Sequence, residues 1–244
     1  MHYEEYCKAR YVHQSSPLVD RDFYQDLNKI VMKRHAVLTD LECLPFKESS
    51  GFGVATERCL DILLSLSGLL VCAIPFLVIA IAIKIDSPGP IFYRQARVGK
   101  RGEIFYIIKF RTMNVNAERR TGPVWAAVGD PRLTRVGAFL RKMRLDELPN
   151  FFNILKGDMR LIGPRPERPE FVYWFVQYMR AFDRRHDVKP GIAGLAQLKN
   201  GYDTSAMSVY RKVRWDIEYI KRKNLWMDVW IIFHTLVAVL RGRI

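Results

Sequence analysis

The pattern of apolar and charged positions contains one long uncharged segment. Twenty-two consecutive residues, Ile62 to Ile83, carry no charge, and Pro75 lies near their centre. A straight helix of this length would be about 33 Å long, which is enough to cross a bilayer core of about 30 Å. Pro75 removes one backbone donor and clashes with the carbonyl of Val71, so it favours a kink. The pattern predicts membrane insertion in preference to burial in a soluble core.

Basic residues lie on both sides of the uncharged segment. Arg58 precedes it, and the cations that follow are Lys84, Arg94, Arg97, Lys100 and Arg101. Lysines and arginines near a membrane segment tend to stay in the cytoplasm. A re-entrant helix over about residues 58–85 leaves both ends on one face and satisfies this rule better than a straight span, which remains the alternative.

A shorter periodic pattern precedes the uncharged segment. Phe23, Leu27, Ile30 and Val31 recur at helical spacing. This stripe is expected either to pack inside the protein or to contact a partner. Residues 1–54 as a whole are interpreted as an N-terminal extension of unknown role.

The chain after the uncharged segment is predicted to form short elements. Ile91–Tyr93 and Ile104–Ile108 are β-branched and aromatic and are separated by a Gly-Lys-Arg-Gly stretch, which predicts a β-hairpin. Helices are predicted over Val136–Met143 and Asn150–Lys156, the second ended by Gly157 as its C′ residue. The fold is therefore expected to be mainly α with a small β-hairpin.

Two later segments combine helical patterning with aromatic residues. Glu170–Asp183 is predicted to be one helix, and its aromatic side chains fit either core packing or contact with a membrane surface. Val229–Leu240 is uncharged for 12 residues, which is too short to span a bilayer. Trp226, Trp230 and the closing Arg241 are typical of an amphipathic helix in the headgroup plane.

The charge is unevenly distributed along the chain. Of the net charge of +14, residues 1–57 contribute −2, from 7 Lys and Arg against 9 Asp and Glu, and residues 58–244 contribute +16, from 32 against 16. Such a positive surface favours anionic lipid headgroups or phosphorylated substrates. Nucleic acid is the competing partner, but the chain has no zinc-finger, basic-zipper or ribonucleoprotein motif. The four cysteines share no metal-ligand spacing.

The sharpest polar motif is RKMRLDELP at residues 141–149. Pro149 is tolerated only in the first turn of a helix, so Asp146 is placed as an N-cap with Glu147 beside it. An acidic cap that stabilises the helix is the simplest interpretation. An ionised carboxylate at this place would also suit a nucleophile or a Mg²⁺ ligand, and the flanking guanidinium groups could hold phosphate oxygens.

Two further segments combine cations with turn residues. Arg165 lies between Pro164 and Pro166 in a turn that is either structural or holds an anion. Residues 184–197 contain clustered cations and two glycines, whose backbone can approach an anion closely. His186 in this segment is by itself more often structural than catalytic.

Six sequence blocks, taken in order, resemble one family. They are KFRTM at 109–113, DPRLTRVG at 130–137, LDELPN at 145–150, FNILKGDM at 152–159, IGPRP at 162–166 and VKPGIAGLAQ at 188–197. Any one block would be weak evidence, whereas six in this order make chance agreement very improbable. Over about residues 55–244 the chain resembles the bacterial sugar transferases, the monotopic phosphoglycosyl transferases.

The resemblance implies a monotopic membrane protein at the cytoplasmic face of the inner membrane. Its re-entrant helix would be kinked at Pro75. A cytosolic catalytic part would follow over about residues 86–225, and an interfacial C-terminal helix over about residues 226–242. Membrane lipids would then be among its partners.

The resemblance also implies a reaction. The family transfers a phospho-sugar from a nucleotide diphosphate sugar, usually a UDP-sugar, to undecaprenyl phosphate. Asp146 would be the nucleophile, would form a phosphosugar-aspartyl intermediate with release of UMP, and would lie near or bind Mg²⁺. Glu147 would handle the proton of the polyprenyl phosphate or orient the aspartate.

Other residues match family positions as well. Lys109, Arg141 and Arg165 are expected around the phosphates. Arg111, Arg185, Gln197 and Asp216 are assigned to substrate or phosphate binding, and Asp228 matches an acidic position of the family. The chain departs from the common family pattern at Ile74, Arg144 and Asn150, which bears on fine positioning more than on the reaction class.

Two other classes of function stay open at this stage. A non-catalytic scaffold that binds anionic membrane surfaces would explain the positive charge and the interfacial elements. Binding of nucleic acid would require tight association at physiological salt. The sequence does not identify the sugar, the pathway or the oligomeric state, a homo-oligomer included.

Overall fold

A computed structural model describes residues 1–5, 7, 21–43, 51–119, 129–200 and 205–241. This part of the chain is mainly helical, as expected, and it contains two small two-stranded sheets, one of which was expected. The helices are α1 Arg21–Lys33, α2 His35–Glu42, α3 Gly51–Val71, α4 Ala73–Asp86, α5 Arg135–Lys142, α6 Asn150–Lys156, α7 Pro169–Tyr178, α8 Leu195–Asn200, α9 Ala206–Arg222 and α10 Leu225–Leu240. The strands are β1 Phe92–Val98, β2 Ile104–Phe110, β3 Arg160–Ile162 and β4 Gly191–Ala193.

The predicted β-hairpin is confirmed. Strands β1 and β2 pair antiparallel from Phe92 opposite Phe110 to Val98 opposite Ile104. A 3-10 turn joins them, and Gly102 in this turn has a φ of 75°, which glycine adopts without steric cost. The second sheet, in which β3 and β4 pair parallel, was not predicted.

Helices α3 and α4 form the predicted bent pair. They meet at Cys72 with an angle of 61°. Pro75 lies in the first turn of α4, where a missing N–H costs little because these donors have no intrahelical acceptor. Among the described helices, none alone is long and apolar enough to cross a membrane, whereas this pair meets both criteria together. The bend is confirmed, and the re-entrant insertion stays a prediction.

The surface around the bend is apolar and uncovered. Leu70, Val71, Ile74 and Leu77 are between 63% and 79% exposed. Solvent-exposed apolar patches of this kind mark surfaces that contact a membrane or a partner. The uncovered side chains are therefore in the place that the sequence predicts for membrane contact.

A largely buried arginine, Arg160, ties the beginning of α3 to the remainder of the protein. Arg160 on β3 pairs with Glu57 at 2.7 Å and Asp61 at 3.1 Å from α3, and with Asp228 at 3.2 Å from α10. Asp61 and Asp228 are both buried, so these charges compensate one another out of water. We refer to these four residues as the Arg160 clamp, which fixes α3 and the last helix, α10, to the same strand.

The main core contains most of the aromatic residues of the predicted helix 170–183. Phe171, Phe175 and Phe182 are at most 1% exposed, so core packing is correct for them and contact with a membrane surface is not. The prediction of one continuous helix is wrong. Helix α7 ends at Tyr178, because Met179 is extended (φ −142°, ψ 91°), and a 3-10 segment covers 180–187.

The apolar stripe of α1 packs against this same core. Leu27 is completely buried, and Phe23, Ile30 and Val31 contact the cluster. Of the two expectations for the stripe, internal packing is thus confirmed.

The last helix, α10, presents aromatic residues outward. Asn224 caps its N-terminus by accepting a hydrogen bond from the Met227 N–H at 2.9 Å. Ile231 is completely buried, whereas Trp226 and Phe233 are 83% and 61% exposed. The helix therefore has one packed side and one aromatic side, and its location in the headgroup plane stays a prediction.

Candidate active site

The two acidic residues of the RKMRLDELP motif lie in a short 3-10 turn between α5 and α6. The turn covers Leu145–Glu147 and follows Arg144, which has a left-handed conformation with φ 57°. Asp146 and Glu147 are 7% and 8% exposed. Helix α6 starts after Pro149 without a side-chain cap, so the expectation that Asp146 caps this helix is wrong. The buried carboxylates are therefore available for something other than capping.

Glu147 is held by two cations from other parts of the fold. Lys109, near the end of β2, places its Nζ 2.6 Å from Glu147 Oε1. Arg165 donates from Nη1 to Glu147 Oε2 at 3.0 Å and from Nη2 to Oε1. A bidentate guanidinium–carboxylate pair fixes both groups in one plane. The carboxylate of Glu147 is thus fully engaged.

Asp146 has a different environment. Within the described part of the chain its carboxylate accepts no hydrogen bond from a side chain. The cations that act on it electrostatically are Lys109, Arg141 and Arg165. It is therefore a buried carboxylate beside positive charge with its oxygens uncommitted, which suits a group that must react.

The two neighbouring carboxylates have shifted pKa values in opposite directions. Burial alone would raise the pKa of Glu147, but Arg165 and Lys109 outweigh it and hold this pKa well below its ordinary value. Burial raises the pKa of Asp146, and Lys109 offsets only part of this effect, since the ionised Glu147 adds to it. A titratable pair separated in this way is typical of sites in which two carboxyl groups have different roles.

Arg141 reaches the site from α5 through a tight contact. Its Nε donates to Thr112 Oγ1 at 3.0 Å, just after strand β2. Helix α5 can lie this close because of Gly137, at which an added Cβ would be only 2.0 Å from the Thr112 carbonyl oxygen. The glycine therefore sets the position of Arg141.

Four other predicted site residues are engaged inside the protein. Arg185 and Asp216 form a buried ion pair at 2.6 Å, each side chain 2% exposed. Arg111 donates to the carbonyls of Ser87 and Pro88 after α4, at 2.8 and 2.6 Å. Gln197 donates to the Ile192 carbonyl at 3.0 Å. The structure brings Lys109, Arg141 and Arg165 to the Asp146–Glu147 pair, and it gives these four residues protein partners instead.

The comparison with known families agrees with the motifs. A model of the bacterial sugar transferases matches residues 52–242. The chain belongs to this family.

Three relatives illustrate the similarity. A protein of Aeromonas hydrophila named UDP-N-acetylgalactosamine-undecaprenyl-phosphate N-acetylgalactosaminephosphotransferase is 46% identical over 186 residues, which are 76% of this chain and 44% of the relative. Two proteins named UDP-glucose:undecaprenyl-phosphate glucose-1-phosphate transferase follow. That of Xanthomonas campestris pv. campestris is 42% identical over 67% of this chain and 34% of its own length. That of Escherichia coli strain K12 is 39% identical over 77% and 40%.

The chain spans less than half the length of each of these relatives, with 44%, 34% and 40% covered. The similarity therefore concerns the part that carries the sugar transferase motifs, which includes the Asp146–Glu147 pair and the residues that hold it.

One residue of the site was not found by sequence reasoning. Arg97 on β1 was counted as a flanking charge of the membrane segment, yet its side chain is only 16% exposed. Its Nη1 donates to the carbonyl of Pro166, next to Arg165, at 3.0 Å. A sequence shows that a cation is present but not which acceptor it reaches, so only the fold could reveal this contact.

Proposed function

We propose that the protein transfers a sugar 1-phosphate from a UDP-sugar to undecaprenyl phosphate at the cytoplasmic face of the inner membrane. The observation that carries this proposal is the uncommitted carboxylate of Asp146 beside Glu147, with Lys109, Arg141 and Arg165 around them. Nucleophile and cations meet in one buried place. The relatives are named for transfers of this type, with two different sugars in their names.

In the first step, a carboxylate oxygen of Asp146 attacks the phosphorus that bears the sugar. The bond from this phosphorus to the bridging oxygen breaks, and UMP leaves with the electron pair. The product is an acyl phosphate between Asp146 and the sugar 1-phosphate. Arg141 and Lys109 stabilise the charge that develops on the phosphoryl oxygens, because fixed cations in a partly dry site need no reorganisation.

In the second step, a phosphate oxygen of undecaprenyl phosphate attacks the same phosphorus. The bond to the aspartyl oxygen breaks, the carboxylate of Asp146 is restored, and the product is a polyprenyl diphosphate sugar. Both substrates are polyanions, so a covalent intermediate allows each to use the same cations in turn.

The geometry favours an orienting role for Glu147. A carboxylate whose pKa lies well below its ordinary value is a poor acceptor of protons near neutral pH. Its bidentate pair with Arg165 and its contact with Lys109 instead keep two cations close to Asp146. Glu147 thus serves by holding the groups that bind phosphate.

The donor set near Asp146 fits Mg²⁺ that arrives with the diphosphate. Among the residues that the structure describes, no group of three or more His, Cys, Asp or Glu side chains is placed to hold a metal ion. Mg²⁺ commonly takes only one or two protein carboxylates and fills its other positions with substrate phosphates and water. Asp146 would supply that carboxylate, and the ion would neutralise diphosphate charge when bound.

The bent helix pair would keep this site at the depth of a lipid phosphate. Arg58 on α3 donates to the carbonyls of Ile154 and Leu155, at 2.5 and 2.6 Å, where α6 ends. The helix that follows the acidic pair is therefore fastened directly to the segment proposed to enter the membrane. An acceptor with its phosphate in the headgroup layer would reach Asp146 without leaving the bilayer.

The test uses the full chain in nanodiscs with Mg²⁺, undecaprenyl phosphate and a panel of UDP-sugars that includes UDP-glucose and UDP-N-acetylgalactosamine. UMP release with at least one donor is expected, and donor labelled in the sugar phosphate should leave label on Asp146 when acceptor is withheld. Asp146→Asn should abolish both, whereas Asp26→Asn, which alters an exposed pair with Lys29, should change neither.

Two outcomes would contradict the proposal. Turnover of Asp146→Asn at the wild-type rate would remove the nucleophile assignment. Salt-sensitive binding to anionic vesicles without UMP release from any donor would favour the non-catalytic scaffold.

A further inference from the structure

The turn that carries Arg165 has its backbone held at every carbonyl from residue 164 to residue 167. The Pro164 carbonyl accepts from the Gly191 N–H at 3.0 Å, and that of Glu167 accepts from the Val98 N–H at 2.9 Å. The two carbonyls between them, those of Arg165 and Pro166, accept from guanidinium groups. A rigid turn places its side chain with little rotational freedom, so these bonds determine where Arg165 points.

Arg185 holds the first of the two middle carbonyls. Its Nη2 donates to the Arg165 carbonyl at 2.7 Å, and its Nε donates to Asp216 Oδ2 at 2.6 Å. The side chains of both Arg185 and Asp216 are 2% exposed. The family resemblance assigned Arg185 to substrate or phosphate binding. A guanidinium this deeply buried has no free access to a substrate phosphate.

Arg97 holds the second middle carbonyl. Its Nη1 donates to the Pro166 carbonyl at 3.0 Å, and its Nη2 donates to Gln95 Oε1 at 2.6 Å. Burial, together with the nearby Arg165, lowers the pKa of Arg97 to about 10, so the group stays charged at neutral pH. The compensating negative charge comes from Glu167, which lies 3.7 Å from Arg97 and also pairs with Lys212.

We propose that Arg97, on β1, and Arg185, in the 3-10 segment 180–187, are positioning residues that hold the Pro-Arg-Pro turn and thereby fix Arg165 on Glu147. Three arginines near one turn repel each other, and such an arrangement is stable only because Glu167 and Asp216 compensate the charge. The inference rests on the proposed function for its catalytic consequence, but the geometry of Arg165 can be measured without turnover.

The first test replaces each positioning arginine by lysine. Arg97→Lys and Arg185→Lys keep the charge but lose the planar fork that reaches two acceptors at once. We expect kcat to fall by about 10- to 100-fold, since displacement of about 1 Å at a reacting centre costs up to about 100-fold. The KM for the UDP-sugar should stay near its wild-type value, because neither residue touches the donor.

A matched control comes from the same segment. Arg168 is also largely buried, but its guanidinium pairs with Glu118 at 2.8 Å and, at 3.5 Å, with Glu170, and it donates to none of these four turn carbonyls. Arg168→Lys should leave kcat unchanged. An equal loss of kcat in Arg168→Lys would mean that any buried arginine here supports the fold in general, and it would overturn the positioning role.

A double-mutant cycle separates action through Arg165 from other effects. In an Arg165→Lys background, Arg97→Lys should cause little further loss, because the group that it positions is already changed. Full additivity of the two losses would overturn the proposal.

The guanidinium of Arg165 gives a readout that does not depend on activity. Its N–H groups are held by the bidentate pair with Glu147, so their exchange with solvent should be slow in the wild-type protein and faster if the turn loosens. The ¹⁵N signals of this guanidinium are those missing in Arg165→Lys. Faster exchange in Arg97→Lys or Arg185→Lys supports the proposal, even if the wild-type protein releases no UMP and the proposed function fails. Wild-type exchange in both folded lysine variants would overturn it.

Discussion

Asp146 and Glu147 are neighbours in the chain, yet their surroundings differ. Glu147 accepts hydrogen bonds from Lys109 and Arg165, whereas Asp146 interacts with these cations only electrostatically, without a hydrogen bond. A turn of the 3-10 type makes this separation, because successive side chains point about a third of a revolution apart. The fold thus divides two chemically similar groups into a holder of cations and a group that can react.

The first prediction concerns Lys109, which lowers the pKa of Asp146. Lys109→Met removes this cation, so the pKa of Asp146 should rise further above its ordinary value. An ionised nucleophile is needed for turnover, and the acid limb of the profile of kcat against pH should therefore move to higher pH. Lys156→Met, which alters a lysine with 72% of its side chain exposed, should leave that limb in place. A fixed limb in Lys109→Met would contradict the prediction.

The second prediction concerns the stability that Glu147 contributes. Because its folded-state pKa is depressed, this contribution is present above the ordinary carboxyl pKa and is lost as the pH falls through the depressed value. Glu147→Gln leaves Lys109 and Arg165 without their partner, and the loss at neutral pH should be about 3–5 kcal/mol. Denaturant unfolding at a series of pH values should show this difference shrinking toward acid pH.

The control for this prediction is the exposed pair of Asp26 with Lys29. Asp26→Asn should cost at most about 1 kcal/mol at any pH, as is usual for surface ion pairs. A difference between Glu147→Gln and wild type that does not change with pH would show that the loss comes from packing and not from the charge.

At the residue scale, the sequence identified the acidic pair and three cations around it, because these residues lie in recognisable blocks. It did not separate Arg165, which reaches Glu147, from Arg111, which donates to the carbonyls after α4. Both are arginines in family blocks, and only the fold decides whether a guanidinium reaches a carboxylate or a backbone oxygen.

At the scale of elements, the sequence predicted the segments that have a local signal, such as a turn, a proline or a C′ glycine, and missed those without one. The β-hairpin, the bend close to Pro75 and the end of α6 at Gly157 are as expected, since each has a local physical cause, although the helices meet at Cys72. The parallel strands β3 and β4 have three residues each, and so short a segment carries no period that could be read. The helix predicted to run to Asp183 ends at Tyr178, because the backbone of Met179 is extended. The prediction missed this end because an extended conformation at one residue leaves no signal in the sequence.

The third prediction concerns the contact between α5 and the residue after β2. Gly137→Ala should stabilise an isolated helix by about 1 kcal/mol. In the protein, the new Cβ would be 2.0 Å from the Thr112 carbonyl oxygen, so α5 must shift and Arg141 must lose its hydrogen bond. We expect net destabilisation of about 1–3 kcal/mol, as for other overpacked sites.

Thermal unfolding and UMP release measure the two consequences separately. Ala138→Gly, at the exposed neighbouring position, tests helix propensity alone and should not alter kcat. A more stable and fully active Gly137→Ala protein would show that α5 is not held by this contact.

At the scale of the whole molecule, the positive charge is less available to lipids than composition suggests. Arg97, Arg111 and Arg185 are all counted in the balance of +16 after residue 57, yet each is directed to acceptors inside the protein. The exposed apolar residues around the bend and on α10 are therefore the stronger indication of a membrane surface.

The fourth prediction concerns topology. Both termini should lie in the cytoplasm, because a re-entrant pair returns to the face from which it enters. Cys43 is exposed, and Arg241 is an exposed position near the other end, so each can carry a single reactive cysteine in a chain without the other thiols. An impermeant maleimide should label both in inverted vesicles and neither in intact spheroplasts. Labelling of the two positions from opposite sides would instead indicate a span.

The Arg160 clamp has a consequence for attempts to obtain a water-soluble catalytic fragment. Deleting the chain before residue 87 removes Glu57 and Asp61 and leaves Arg160 with Asp228 as the remaining acidic partner of the clamp. A desolvated guanidinium then lacks two of its three counter-charges, and strand β3 loses its anchor beside the Pro-Arg-Pro turn. A fragment that begins at residue 87 should therefore be insoluble or unfolded, because the deletion removes these counter-charges together with Leu27 and Leu38, which are buried in the main core.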